Sequence, residues 1–157
     1  MSPAGRRKVP LGKLLVSSAA VAGMVGPSVF DWNESHIFNA TWPPHAKFHN
    51  AQTMSSGVVL GLATLFHLWR PHSTRASLDA AAITASTYYV SQLTAGLYPG
   101  TASVDPPGED SWPQLRYTVP ILAVVALGYA IERSEARPGR SWLPPRPASR
   151  VSPGRGW

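Results

Sequence analysis

Cysteine is absent from this sequence, and charged residues are scarce and unevenly placed. The absence of cysteine excludes disulfides, thiolate metal sites and cysteine nucleophiles. Charged residues make up 14% of the chain, and four stretches contain none of them: 14–30, 48–69, 80–104 and 117–131. A helix of a soluble bundle normally has an apolar stripe and a charged face toward water. These stretches lack a charged face, which favours a lipid environment over a soluble four-helix bundle.

Four apolar runs predict an all-α fold, specifically a four-transmembrane-helix bundle. A helix needs about 20 predominantly apolar residues to cross a bilayer. The predicted spans are 11–30, 51–69, 78–97 and 115–131, and together they form a membrane domain over residues 11–132. The third span is the most polar, and its many alanines and serines predict close packing against other helices.

Both ends of the chain differ in composition from the predicted membrane domain. Residues 1–10 predict a flexible basic N-terminal arm, and the proline and arginine content of residues 133–157 predicts a disordered tail. The pair Arg6-Arg7 before the first run resembles a secretory or twin-arginine leader. The poor cleavage site around Ser18 and the three apolar runs that follow predict an uncleaved first helix instead.

The distribution of charge orients the predicted spans. Twelve of the 14 lysines and arginines fall on one side of a four-pass chain, and only Lys47 and Arg116 fall on the other. The positive-inside rule therefore predicts that both termini are cytoplasmic. We expect a multi-pass protein of the bacterial plasma membrane, or of the endoplasmic reticulum in a eukaryote. The formal net charge of +6 does not indicate nucleic-acid binding, because the basic residues are not interleaved with stacking aromatic residues.

Residues 31–52, on the predicted outer side, gather ionisable and aromatic side chains between the first two runs. Polar groups at membrane depth indicate function by default. We expect a pocket there that binds a hydrophobic small molecule, either a lipid or an isoprenoid. The candidate catalytic residues are Asp31, Glu34, His36, His45 and His49, and the candidate ligand-binding residues are Trp32, Trp42, Gln52, Tyr88 and Gln92.

The second helix is predicted to begin well before residue 51. Thr41 can act as its cap, and Pro43 and Pro44 are tolerated in a first turn. His45 and His49 are then four residues apart on one face of the helix.

Three functions are compatible with these residues. In the first, Asp31 or Glu34 donates a proton to a lipid or isoprenoid, a histidine accepts one, and aromatic faces stabilise the developing cation, which gives isomerisation or cyclisation. In the second, a metal-dependent membrane enzyme uses His45 and His49 to bind a divalent metal when a third ligand approaches. In the third, the protein is a non-catalytic structural or transport-accessory component. No other cofactor is expected, and protein partners and enzymatic activity stay open.

The segment also carries a motif. The pattern Asp31-Trp32-x-x-x-His36-x-Phe38-Asn39-x-x-Trp42-Pro43-Pro44-His45-Ala46-Lys47-Phe48-His49-x-x-Gln52 resembles an uncharacterised family of small four-pass membrane proteins in bacteria and fungi. The resemblance covers roughly residues 12–132 and implies topology rather than activity. A more distant likeness is to the four-helix emopamil-binding-protein-like sterol isomerases, which implies intramembrane carboxylates and aromatic residues around a lipid-like ligand. That likeness assigns no catalytic role to a particular residue.

Overall fold

The computed structural model describes residues 9–104, 107–109 and 111–135, and this part of the chain is all-α, without strands. Its four helices are α1 (Leu11–Asp31), α2 (Pro44–Trp69), α3 (Arg75–Ala95) and α4 (Leu115–Glu135). The predicted all-α class and the predicted four helices are confirmed. The predicted basic arm and disordered tail fall mostly on residues 1–8 and 136–157, which lie outside the described residues.

The starts of α2 and α3 follow local sequence signals. The N-cap of α2 is Pro43, and Pro44 begins the helix, because the fixed φ of proline suits a first turn that needs no N–H partner. Thr41 is not the cap, so that prediction is wrong: its backbone N–H and its hydroxyl both donate to Oδ1 of Asn39. α3 begins with a capping box between Thr74 and Ser77.

The bundle is organised around α1 and α3, each of which packs against all three other helices. α2 and α4 lie on opposite sides of this pair and do not contact each other. The buried core is formed by one or more side chains from every helix: Val16, Ala19, Leu68, Leu78, Ala81, Ala85 and Val125.

Glycines bring α1 very close to α2 and to α4. A Cβ atom added at Gly57 of α2 would overlap the backbone carbonyl oxygen of Gly23 in α1. One added at Gly128 of α4 would lie 2.7 Å from the carbonyl oxygen of Gly12 in α1. Gly57 and Gly61 form a GxxxG pattern that faces α1. Such close backbone packing is typical of membrane helices, which associate through van der Waals contact rather than through the hydrophobic effect.

The outer surface of the bundle carries large apolar side chains on every helix. Val29, Leu62, Ile83 and Leu127, one from each helix, are all more than half exposed. α1 and α4 are long and apolar enough to cross a membrane, whereas α2 and α3 are of similar length or longer but less apolar. Two such helices indicate membrane association only weakly, since a core helix or a signal sequence can have the same composition.

Charged side chains join the helices at the end of the bundle opposite Asp31. The Lys13 ammonium donates to the backbone oxygen of Leu68 at 2.9 Å, at the last turn of α2, and lies 5.5 Å from the ring centroid of Trp69. Arg133 of α4 donates to Asp79 of α3 at 2.6 Å. This placement leaves residues 14–30 of α1 and 117–131 of α4 free of charge between their ends.

Candidate functional site

The segment between α1 and α2 is held by two asparagine turns. Asn33 Oδ1 accepts from the backbone N–H of Ser35 at 2.9 Å, and Asn39 Oδ1 accepts from that of Thr41 at 2.9 Å. Asparagine favours such turns because its side chain imitates a backbone carbonyl. The turns carry the chain from the end of α1 to the start of α2 within residues 32–43.

Asp31 and His36, two of the candidate catalytic residues, come together. The distance from His36 Nε2 to Asp31 Oδ1 is 3.9 Å, and their side chains are 34% and 19% exposed. The other oxygen of Asp31 accepts a hydrogen bond from Asn50 Nδ2 of α2 at 2.9 Å. His36 is fixed by Ser35, whose hydroxyl lies 2.8 Å from Nδ1, and by an edge contact with the Trp42 ring. The carboxylate is therefore anchored from both flanking segments.

His45 and His49 form a second pair on the exposed face of the first turns of α2. Their Nε2 atoms are 3.1 Å apart, and His49 Nδ1 lies 3.2 Å from Oε1 of Gln52. The Phe48 ring lies parallel to that of His45, with 6.1 Å between centroids. Two imidazole nitrogens thus converge on one point. Among the described residues, no group of three or more histidine, aspartate or glutamate side chains is close enough to hold a metal ion.

Glu34 and Trp32 are both exposed, and Trp32 makes an edge contact with Phe38 at 5.6 Å between centroids. Within the described residues the ion pairs are His36–Asp31 and Arg133–Asp79, so neither carboxylate of the segment pairs with a lysine or an arginine.

A cavity of about 560 Å³ lies at the same end of the bundle, lined by α1, α3 and α4 and by Thr53 of α2. Its wall is mostly apolar, with Val25, Val29 and Phe30 from α1 and Ile121 from α4. Three of the ten predicted site residues line it, namely Asp31, Tyr88 and Gln92. The remaining seven, Trp32, Glu34, His36, Trp42, His45, His49 and Gln52, are not part of its wall.

A hydrogen-bond network fixes the polar part of the cavity wall. Gln92 of α3 donates from Nε2 to the hydroxyl of Tyr117 at 3.1 Å and accepts at Oε1 from the buried Thr118 hydroxyl at 2.7 Å. Tyr89 donates to the backbone oxygen of Ala19 at 2.9 Å. Sequence reasoning missed Tyr117 and Thr118, although a polar pair at the start of a predicted apolar span was the available signal.

Comparison with known proteins gives a family but no activity. No curated protein and no solved structure matches the chain. The likeness to emopamil-binding-protein-like isomerases therefore stays a prediction, whereas the predicted membership of an uncharacterised family is confirmed. Residues 15–141 match the Family of unknown function (DUF6640), and the chain belongs to that family.

Proposed function

We propose that the protein is an integral membrane protein whose four helices all cross the bilayer, and that the cavity at the Asp31 end binds a hydrophobic small molecule, a lipid or an isoprenoid. Both termini are then cytoplasmic, and the cavity lies in the outer half of the bundle. The observation that carries the binding proposal is the apolar cavity with a single carboxylate at its edge. Its volume falls in the range of about 300–1,000 Å³ that is usual for ligand sites.

The exposure of apolar side chains supports the membrane placement of α1 and α4. In the most apolar 18-residue stretch of each helix, only 28% of α1 and 17% of α4 is buried. A core helix of a soluble protein would bury most of such a stretch, because large contiguous apolar patches are rare on soluble monomers. Lipid contact accounts for a surface that water would not favour.

Hydroxyl groups contribute to the lower hydropathy of α2 and α3, and they are hydrogen-bonded within the protein. The hydroxyls of Thr64 in α2 and Thr84 in α3 lie 2.8 Å apart, and each is also within hydrogen-bond distance of a carbonyl of its own helix, so each donates either to that carbonyl or to the other hydroxyl. The exposed Thr87 hydroxyl donates to the backbone oxygen of Ile83 at 2.8 Å. A hydroxyl bonded in this way costs little in lipid, because its donor is not left unpaired. These hydroxyls therefore do not prevent α2 and α3 from spanning.

The proposal is restricted to binding. Catalysis by proton transfer needs an acid and a base in reach of the same ligand. Among the five candidate catalytic residues, Asp31 alone lines the cavity, and its neighbour His36 does not. The acid–base reaction expected from the sequence stays a prediction.

Native mass spectrometry after purification in a mild detergent tests the binding proposal. Ala22 lines the cavity, so Ala22→Phe should fill it and remove a co-purifying hydrophobic molecule. Ala123→Phe is the matched control, because Ala123 is exposed on α4 and does not line the cavity. A molecule that is absent from the unchanged protein, or retained equally in both variants, contradicts the proposal.

Metal binding by His45 and His49 is a second candidate function, favoured by the distance between their Nε2 atoms. Two imidazoles on one tetrahedral zinc, at about 2.0–2.1 Å each, place their nitrogens about 3.3 Å apart, and the two here are 3.1 Å apart. Donation by His49 Nδ1 to Gln52 leaves its Nε2 free to ligate. We expect micromolar Zn²⁺ binding by calorimetry that His49→Ala abolishes and His72→Ala does not; equal binding by both variants contradicts this function.

A further inference from the structure

We infer that the molecule bound in the cavity carries a cationic head, a protonated amine on a hydrophobic body, and that Asp31 receives this head. The inference rests on the proposed binding function and adds the chemical class of the ligand. It follows from the Asp31 carboxylate in the cavity wall and from the aromatic rings that line the same cavity.

The acceptor is the Asp31 carboxylate. Asn50 Nδ2 donates to its Oδ2, while His36 Nε2 lies 3.9 Å from Oδ1, beyond hydrogen-bond distance. Among the described residues, neither a lysine nor an arginine pairs with Asp31. A carboxylate that is largely removed from water is stabilised by a cation that also donates hydrogen bonds.

Asn50 holds the carboxylate in place but does not itself line the cavity. Its side-chain oxygen is buried and has no hydrogen-bond partner among the described residues. Rotating the amide by 180° does not solve the problem, because it would turn the oxygen toward Asp31 and remove the donor that the carboxylate accepts. Asn50 thus commits its amide group to Oδ2 of Asp31, and Oδ1 is left without a donor within hydrogen-bond distance among the described residues. An ammonium group supplies a charged donor to that oxygen, whereas a hydroxyl head supplies a neutral one.

Aromatic rings complete the cation site. Phe30 and Tyr117 line the cavity and are stacked, with 5.6 Å between ring centroids and 11° between planes. Tyr88 also lines it. The faces of aromatic rings attract cations and equally accept hydrocarbon. The apolar wall formed by Val25, Val29 and Ile121 continues from these rings and suits the body of the ligand.

A pair of ligands that differ in the head alone tests the inference. Farnesylamine, protonated at neutral pH, and farnesol share one isoprenoid body. Their affinities are measured by thermal unfolding of the full chain in lipid nanodiscs, followed by tryptophan fluorescence. We expect the amine to bind about tenfold or more tightly than the alcohol, because hydrogen bonds to ionised groups are the stronger ones.

The Asp31→Asn variant isolates the charge. Its amide oxygen can still accept from Asn50, so the variant removes the charge alone, and we expect the preference for the amine over the alcohol to disappear. Asp79→Asn is the control, because Asp79 pairs with Arg133 and does not line the cavity, and the preference should survive there. Equal binding of amine and alcohol by the unchanged protein overturns the cationic head and leaves the cavity function standing. Failure of both ligands to bind, together with no effect of Ala22→Phe on co-purified molecules, overturns the cavity function itself.

Discussion

The close contact between α1 and α2 gives a prediction that depends on a single methyl group. Gly57→Ala places a Cβ atom against the backbone carbonyl oxygen of Gly23, which no side-chain rotation can relieve. Gly26→Ala is the matched control, since a Cβ at Gly26 meets no heavy atom within 4 Å. Both substitutions are glycine to alanine inside a helix, so they differ in packing rather than in backbone entropy.

The expected magnitude follows from two opposing terms. Alanine in a helix is more stable than glycine by about 0.5–1 kcal/mol. Overpacking of a tight interface costs about 1–3 kcal/mol. Gly26→Ala is stabilised by the greater helix propensity of alanine alone. Gly57→Ala has the same stabilisation but is also destabilised by the overpacking. The two variants should therefore differ in free energy of unfolding by about 1–3 kcal/mol.

Thermal unfolding in a mild detergent, followed by tryptophan fluorescence, measures this difference. For a chain of this size 1 kcal/mol shifts Tm by about 2–4 °C, so Gly57→Ala should melt about 2–12 °C below Gly26→Ala. If the two variants melt together, the glycine contact does not hold α1 against α2 and the packing described for this helix pair is wrong.

Two further substitutions probe polar contacts between α3 and α4, again by thermal unfolding. Thr118→Val removes the buried donor to Gln92 and should destabilise the protein by about 1–2 kcal/mol. Thr87→Val is the control and should have little effect, because the Thr87 hydroxyl is exposed and bonded within its own helix. Equal effects of these two variants would show that the buried network does not contribute. Arg133→Gln breaks a pair whose side chains are both 43% exposed, so its cost should not exceed about 1 kcal/mol; a loss several times larger would mean that this pair holds the helices together.

The four uncharged stretches allowed the helices to be predicted from the sequence. Uncharged stretches of helical length predict apolar helices wherever turn residues separate them, and all four appear near their predicted positions. The start of α2 was less certain, because Thr41 and the prolines are both start signals. Asn39 accepts a hydrogen bond from the Thr41 hydroxyl, so that hydroxyl does not cap α2 and the helix begins at the prolines. Composition does not reveal this local bond.

The composition of the cavity wall was harder to predict than the helices. Spacing along α2 correctly placed His45 beside His49, whereas the contact between Asp31 and His36 was not predicted as a pair. Whether a pair faces the cavity depends on the rotation of each helix about its axis, which is set by contacts such as Gly57 with Gly23. Two apolar runs with weak amphipathicity do not specify that rotation, so membership of the cavity wall could not be derived from spacing.

The absence of cysteine allows a direct test of the membrane topology. Ala40→Cys adds a thiol to the exposed segment between α1 and α2, and Ser73→Cys adds one to the exposed turn between α2 and α3. Each single-cysteine variant is treated with a membrane-impermeant maleimide in intact cells and again after permeabilisation. Four crossings with cytoplasmic termini require that Ala40→Cys reacts in intact cells and that Ser73→Cys reacts after permeabilisation only. Labelling of Ser73→Cys in intact cells, or of neither variant before permeabilisation, contradicts the account.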